Sequence, residues 1–396
     1  MNDFRPSVPF AARYARNGMV CSIDHLASNA GVSVLRQGGT AADAAIATSA
    51  VLAVTSQHMC GVGGDLWALV HVPGEPRPFA LNASGHSGSG ADVDSLRRDG
   101  FREMPFHKDP RSVTVPGCVD GWLALHQRFG RLPLDQIFAD AIDLAIQGFP
   151  ISAECAQATK LLKDIDNTDD YFVNGPPRPG ELIRRSSLGE TLESIIHGGR
   201  EAFYEGEFGD EFIAFGAGEY TSQDLQKIQA NWVEPLAVEA FGQRIWSLPP
   251  NSQGYLCLSS AWIADQLEIP ADPSDPLFWH LLAESSLQAG FDRPDALHQD
   301  ADGDWLLDPK RLHPRASAIS PLRASSLPTG VNDGDTIYLN AVDVDRMGVS
   351  LIQSNASGWG ALAFLPTPRI SLHNRGIGFS ANPDSPAAYG PGKRPP

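Results

Sequence analysis

The chain has 396 residues, 42% hydrophobic and 19% charged, long enough to bury a large core as one layered unit or as two or three domains. Its 30 basic against 47 acidic residues give a formal charge of −17. Such a surface repels phosphate backbones and anionic lipid, so neither nucleic acid nor a membrane surface is an expected partner.

The N-terminal residues Met-Asn-Asp-Phe-Arg-Pro precede no apolar run, so no secretory signal is expected. Five scattered cysteines, none in CxxC spacing, indicate neither a disulfide framework nor a zinc site. They read as reduced thiols of a cytoplasmic protein.

Asp24 is placed to cap a helix through Leu26, Ala30, Val34 and Leu35, which Gly38-Gly39 stops. The small-residue stretch Ala41 to Val54 follows as a second helix, suited to lying between other layers. It carries Asp43 and is too short to span a bilayer. Cys60-Gly61-Val62-Gly63-Gly64-Asp65 leads into a strand, Leu66 to Val70. A dinucleotide loop needs the order strand, glycines, helix; here the order is helix, glycines, strand, which excludes it.

Residues 94–112 read as surface loop. Helices are predicted through Trp122 to Phe129 and from Pro133 to Gly148, with several more between 187 and 230. A strand pair at 236–248 turns at Gly242-Gln243, and two helices ending near Arg293 follow. Asp300 to Asp304 mimics a calcium loop, but its glycine is misplaced and Arg311 stands where the bidentate Glu belongs. Residues 310–334 read as a polar linker. Beyond it come a strand at 337–342, a turn at 343–348 and a partner strand at 349–354, a hairpin whose first residue is Thr336.

A threonine hydroxyl is a weak nucleophile until a base takes its proton. A threonine that begins a chain has its own α-amino group as base, with a reference pKa of about 8. Cleavage of Asp335–Thr336 would create that arrangement, with the Thr336 hydroxyl attacking the Asp335 carbonyl. A threonine opening a strand is also a common structural feature, and Asp-Gly-Asp-Thr alone does not separate the two.

The flanking motifs do. Leu35-Arg36-Gln37-Gly38-Gly39-Thr40-Ala41-Ala42-Asp43, Gly61-Val62-Gly63-Gly64, Ser112 to Gly117 and Ala145 to Pro150 run in order along the chain. Leu248-Pro249-Pro250, Gly334-Asp335-Thr336, Asn374-Arg375-Gly376 and Gly392-Lys393-Arg394-Pro395 continue the series. In this order they resemble the γ-glutamyltranspeptidase family over nearly the whole length. The resemblance implies an α/β (α+β) fold, the four-layer αββα sandwich of N-terminal-nucleophile hydrolases. It implies one precursor cut into two subunits, here 1–335 and 336–396, which remain together as a heterodimer. Thr336 is then the nucleophile, Ser354 the hydroxyl that assists it, and Asn374 a residue lining the pocket. Neither a metal nor an organic cofactor is expected.

Two departures bear on the substrate. The family arginine that binds the α-carboxylate of a glutamyl group falls at Ser84, while Arg102 copies its motif too far along the chain. Acidic residues that hold the α-amino group fall at Arg375 and Gly378. Two charge-assisted contacts are worth about 1.5–3 kcal/mol each, so a free glutamyl head group loses its grips. Arg375 is expected instead to bind a carboxylate on a differently shaped acyl donor. Family members also continue past Lys-Arg-Pro with strands, substrate-contacting hydroxyls and oxyanion-hole glycines, so the small-subunit part is expected to be incomplete. Three readings stand: a γ-glutamyltransferase-like amide hydrolase or acyltransferase, an acylase acting on non-glutamyl dicarboxylic acyl amides, and an inactive truncated paralogue or partner subunit.

Overall fold

The computed structural model describes residues 12–327 and 336–396. They fall into two compact units, one of residues 18–233 and 336–396, the other of residues 12–17 and 234–327.

In the first unit, β1 (Met19–Cys21) leads to α1 (His25–Arg36), where the Asp24 side chain accepts from Leu26 N at 2.8 Å. Next, α2 (Ala41–Thr55) is buried at every position. Its N-terminus is closed by a capping box in which Thr40 and Asp43 satisfy each other's backbone N–H groups. Strands β2 (Asp65–His71) and β3 (Phe79–Ala83) follow, then α3 (Cys118–Phe129), α4 (Leu134–Gln147), α5 (Ser186–Tyr204) and the short β4 (Asn231–Val233). The hairpin β5 (Thr336–Val342) and β6 (Gly348–Ser354) completes the set.

These strands form one six-stranded sheet in the order β1-β5-β6-β2-β3-β4. The hairpin, although last in the chain, lies at its centre, antiparallel to β1 on one side and to β2 on the other. Alternation decides which face is covered. Ile337, Leu339, Ala341, Val349, Leu351, Leu66, Ala68 and Val70 are buried, and the sheet packs against α2 and α3. The other face carries Thr336, Tyr338, Ser350 and Trp67. Of the layers expected from the sequence, the described residues supply the helical cover and one large sheet.

The second unit holds a hairpin, Leu236–Ala240 with Gln243–Ser247, and helices Gly254–Asp265 and Pro276–Gly290. It also corrects the linker: Pro309–Ser317 is helical, capped by Asp308, whose side chain accepts from Lys310 N at 2.7 Å. Proline at the first helical position leaves no N–H to satisfy, which suits a helix start that the polar composition had concealed. Likewise Val93–Arg98, read as loop, is a short helix capped by Asp92. Among the described residues no helix is long and apolar enough to cross a membrane.

Candidate active site

The hairpin turn sets the register of the site. Asp343 N donates to Met347 O at 3.1 Å, and Asp343 Oδ1 accepts from Met347 N at 3.0 Å. The same carboxylate reaches across with Oδ2 to Ala41 N at 2.9 Å, fixing the turn on the start of α2. A tight turn leaves the strands no freedom to slip. Val342 therefore pairs with Gly348, and six rungs further on Thr336 pairs with Ser354. Directly opposed side chains share a face, and Thr336 Oγ1 stands 2.9 Å from Ser354 Oγ. Thr336 is exposed, Ser354 fully buried.

Ser354 is held from several sides. Its Oγ accepts from Ala356 N at 2.8 Å. The neighbouring Gln353, on the covered face, accepts from Ser49 Oγ at 2.6 Å and donates to Gly61 O at 3.2 Å. Asn355 donates from its backbone to Met59 O and from Nδ2 to Gln57 O. The glycines of Gly61-Val62-Gly63-Gly64 have a steric purpose here. A Cβ on Gly64 would lie 2.5 Å from Ser354 O, and one on Gly63 would lie 2.3 Å from Ser371 O.

On its other side Ser354 pairs with Asp65. Asp65 is fully buried, and Arg375 Nε donates to its Oδ2 at 2.6 Å. The Arg375 guanidinium lies 5.1 Å from the Trp67 ring centre, two residues along β2 on the same face. His373, also fully buried, places Nε2 at 2.9 Å from Thr114 O and Nδ1 at 3.5 Å from Asp65 Oδ2. Thus Thr336, Ser354, Asp65 and Arg375 form one constellation. Sequence reasoning named three of them and missed Asp65, together with His373. The signal was the aspartate ending Gly63-Gly64-Asp65, a charge at the first position of a buried strand.

Asn374 sits beside the constellation as a buried brace. Its Oδ1 accepts from Ser357 N at 3.2 Å and Ser357 Oγ at 3.0 Å, its Nδ2 donates to Phe106 O, and its backbone N donates to Asn355 O. Ser84 follows the end of β3 and is fully buried, with Oγ accepting from Arg394 Nη1 at 2.9 Å. Arg394 also donates to Asn82 Oδ1, Gln229 O and Asn231 Oδ1. The hydroxyl of Ser84 is therefore engaged by the protein itself. Arg102 is exposed. Asp335, the expected cleavage partner of Thr336, lies outside the described residues. No group of three or more His, Cys, Asp or Glu placed to hold a metal ion occurs among the described residues.

The family model for gamma-glutamyltranspeptidase matches residues 27–396. The chain is 34% identical over 404 residues to the oxamate amidohydrolase proenzyme of Klebsiella pneumoniae, an alignment covering 97% of this chain and 76% of that protein. It is 33% identical to the glutathione hydrolase-like YwrD proenzyme of Bacillus subtilis, covering 95% and 74%. The cephalosporin acylase from Bacillus halodurans superposes with a TM-score of 0.88 at 33% identity, over 99% of this chain and 76% of that one. The chain belongs to the γ-glutamyltranspeptidase family, and its mixed helix-and-sheet architecture is of the N-terminal-nucleophile hydrolase type seen in these acylases and transpeptidases.

Proposed function

We propose that the chain is an amide hydrolase that cuts itself at Asp335–Thr336 and then accepts, on Thr336, the acyl group of an amide bearing a carboxylate. The observation that carries this reading is the 2.9 Å approach of Thr336 Oγ1 to Ser354 Oγ, with Arg375 held on Asp65, the residue paired with Ser354 on its far side.

The freed α-amino group of Thr336 takes the hydroxyl proton as Oγ1 attacks the acyl carbonyl. The C–N bond breaks, the proton passes to the departing amine, and an acyl ester remains on Thr336. Water resolves that ester in hydrolysis; an acceptor amine resolves it in acyl transfer. Ser354 orients the attacking oxygen. Arg375 supplies the fixed positive charge of the site, and a guanidinium fork matches a carboxylate in shape as well as charge. Oxamate, named for one relative, is itself an amide with a carboxylate on the adjacent carbon.

A γ-glutamyl donor is the second reading, favoured by the glutathione hydrolase-like relative. It calls for grips on both an α-carboxylate and an α-amino group. The family's α-carboxylate grip falls at Ser84, which is turned to Arg394, and its α-amino grip falls at Arg375, whose positive charge suits a carboxylate and repels an ammonium group.

Intact mass of the purified chain, beside a Thr336→Ala control, tests the nucleophile. Two fragments meeting at Asp335–Thr336, absent in the control, are expected. Hydrolysis of oxamate and succinamate compared with γ-glutamyl anilide then tests the acyl group. An uncut chain in both preparations sinks the enzyme reading and leaves that of an inactive partner subunit.

A further inference from the structure

Asp65 is an unusual structural carboxylate. It is fully buried, yet among the described residues Arg375 Nε is the one hydrogen-bond donor to its side chain, and Oδ1 has no partner. Buried carboxylates are ordinarily satisfied by several donors, so this residue contributes little to stability for the charge it buries. What it does do is fix one side of the Arg375 guanidinium. The Nε–H is taken by Asp65 and the plane lies near Trp67. Neither Nη atom has a hydrogen-bond partner among the described residues. The forked end of the arginine is thereby left open while its position is set from behind.

That position has a scale. Asp65 pairs with Ser354 and Ser354 with Thr336, so Asp65 and Thr336 are two strand spacings apart, about 10 Å. An attacked carbonyl carbon stands about 3 Å from the nucleophile. A carboxylate oxygen stands about 2.8 Å from a guanidinium nitrogen. With the fork on the same scale from Thr336 as the Asp65 to which it is fastened, the gap left between acyl carbon and carboxylate oxygen is on the order of 4 Å, the span of a linear diacid of roughly three to five carbons.

We propose that Asp65 makes Arg375 a ruler, so that the enzyme selects monoamides of short dicarboxylic acids by the length of the acyl chain. Asp65 touches no substrate; it is a positioning residue. The inference rests on the reading of Arg375 as receptor for the acyl carboxylate.

The test is kcat/KM of the full chain across oxamate, malonamate, succinamate, glutaramate and adipamate. The wild type is expected to show a maximum at malonamate, succinamate or glutaramate, with best and worst members differing by about 30-fold or more. Arg375→Ala should lower the whole series by about 10–100-fold. Asp65→Ala should flatten the profile to within about threefold, because an unfastened arginine reaches several lengths. Asp65→Asn keeps an acceptor for Nε and should retain the maximum in part. Mere loss of charge would move all lengths together and leave the profile's shape unchanged.

If Arg375→Ala leaves every member untouched, the reading of Arg375 fails and the ruler with it. If Arg375→Ala lowers the series but Asp65→Ala keeps the wild-type profile, the ruler alone is overturned. Should Asp65→Ala not fold, Arg375→Lys serves instead. It keeps the charge, loses the Nε bond to Asp65, and is expected to flatten the same profile; an unchanged maximum in that variant overturns the proposal.

Discussion

Thr336 and Asp65 stand on opposite sides of Ser354 in a single rung of the central sheet. One is exposed and begins a strand; the other is fully buried and carries the ion pair with Arg375. They are 271 positions apart in sequence, and backbone pairing alone sets the span between the hydroxyl and the charge. A sheet is a stiff support for such a span, since each strand is fixed by ladder hydrogen bonds on both sides.

Ser354→Ala removes the hydroxyl 2.9 Å from the Thr336 oxygen while leaving the rung intact. Self-cleavage and turnover are expected to slow by about 10–100-fold, the scale of one oriented hydrogen bond in a transition state. The measurement is the time course of fragment appearance by mass spectrometry. A variant that cuts itself at the wild-type rate would remove Ser354 from the chemistry.

Asn374→Ala strands the Ser357 N–H, the Ser357 hydroxyl and the Phe106 carbonyl in a buried setting. Each buried group left without a partner costs about 1–3 kcal/mol, so a total loss of about 2–4 kcal/mol is expected after relaxation. Urea unfolding reads it directly. If stability holds and only the KM of the amide rises, Asn374 contacts substrate rather than bracing the loop.

Asp43→Ala should cost about 2–4 kcal/mol, far from the reacting atoms. The buried Asp43 carboxylate accepts from the backbone N–H groups of Thr40, Arg131 and Leu132, tying the start of α2 to the end of the α3–α4 connection. Because α2 carries the sheet that positions Ser354, precursor yield should fall together with the unfolding midpoint. Full stability in the variant would show that the N-terminal cap of α2 is dispensable.

His86 gives a pH dependence whose sign is fixed. Burial holds its pKa down to about 4, helped by the positive charges of Arg394 and Lys227 and opposed by the hydrogen bond to Gln229. The ordinary value is about 6.5. Between the two, the unfolded chain binds a proton that the native state does not, so stability falls as pH drops from about 6.5 toward 4. The contribution is on the order of 3 kcal/mol over that window. Unfolding midpoints at about pH 7.5 and 4.5 should converge in His86→Gln relative to wild type. An equal acid loss in both chains would mean that His86 is charged in place.

Read in order, the residues already contain the local pieces. Asp24 caps α1, Gly38-Gly39 ends it, and the hairpin alternates from Thr336 to Ser354 with its turn at Asp343. These follow from interactions within a few residues: capping, turn geometry and period-two burial. The same locality explains the helix missed at Pro309–Ser317, where few apolar residues mark a covered face. The family resemblance likewise brought Thr336, Ser354 and Arg375 into view together.

Only the tertiary structure decided which of the remaining residues joined them. Asp65 becomes part of the site because β2 docks against β6 in one register among several that alternation would allow. Ser84 is turned to Arg394, 310 positions away, and Asn374 is buried and bonded to Ser357 and Phe106. Such pairings depend on long-range closure of the sheet and on burial, which removes the water that would otherwise satisfy these polar groups. The sequence by itself placed Thr336 at the head of a hairpin strand opposite Ser354, through short-range geometry. That Asp65 and its ion pair with Arg375 stand on the far side of Ser354 was decided by the order in which the strands assemble.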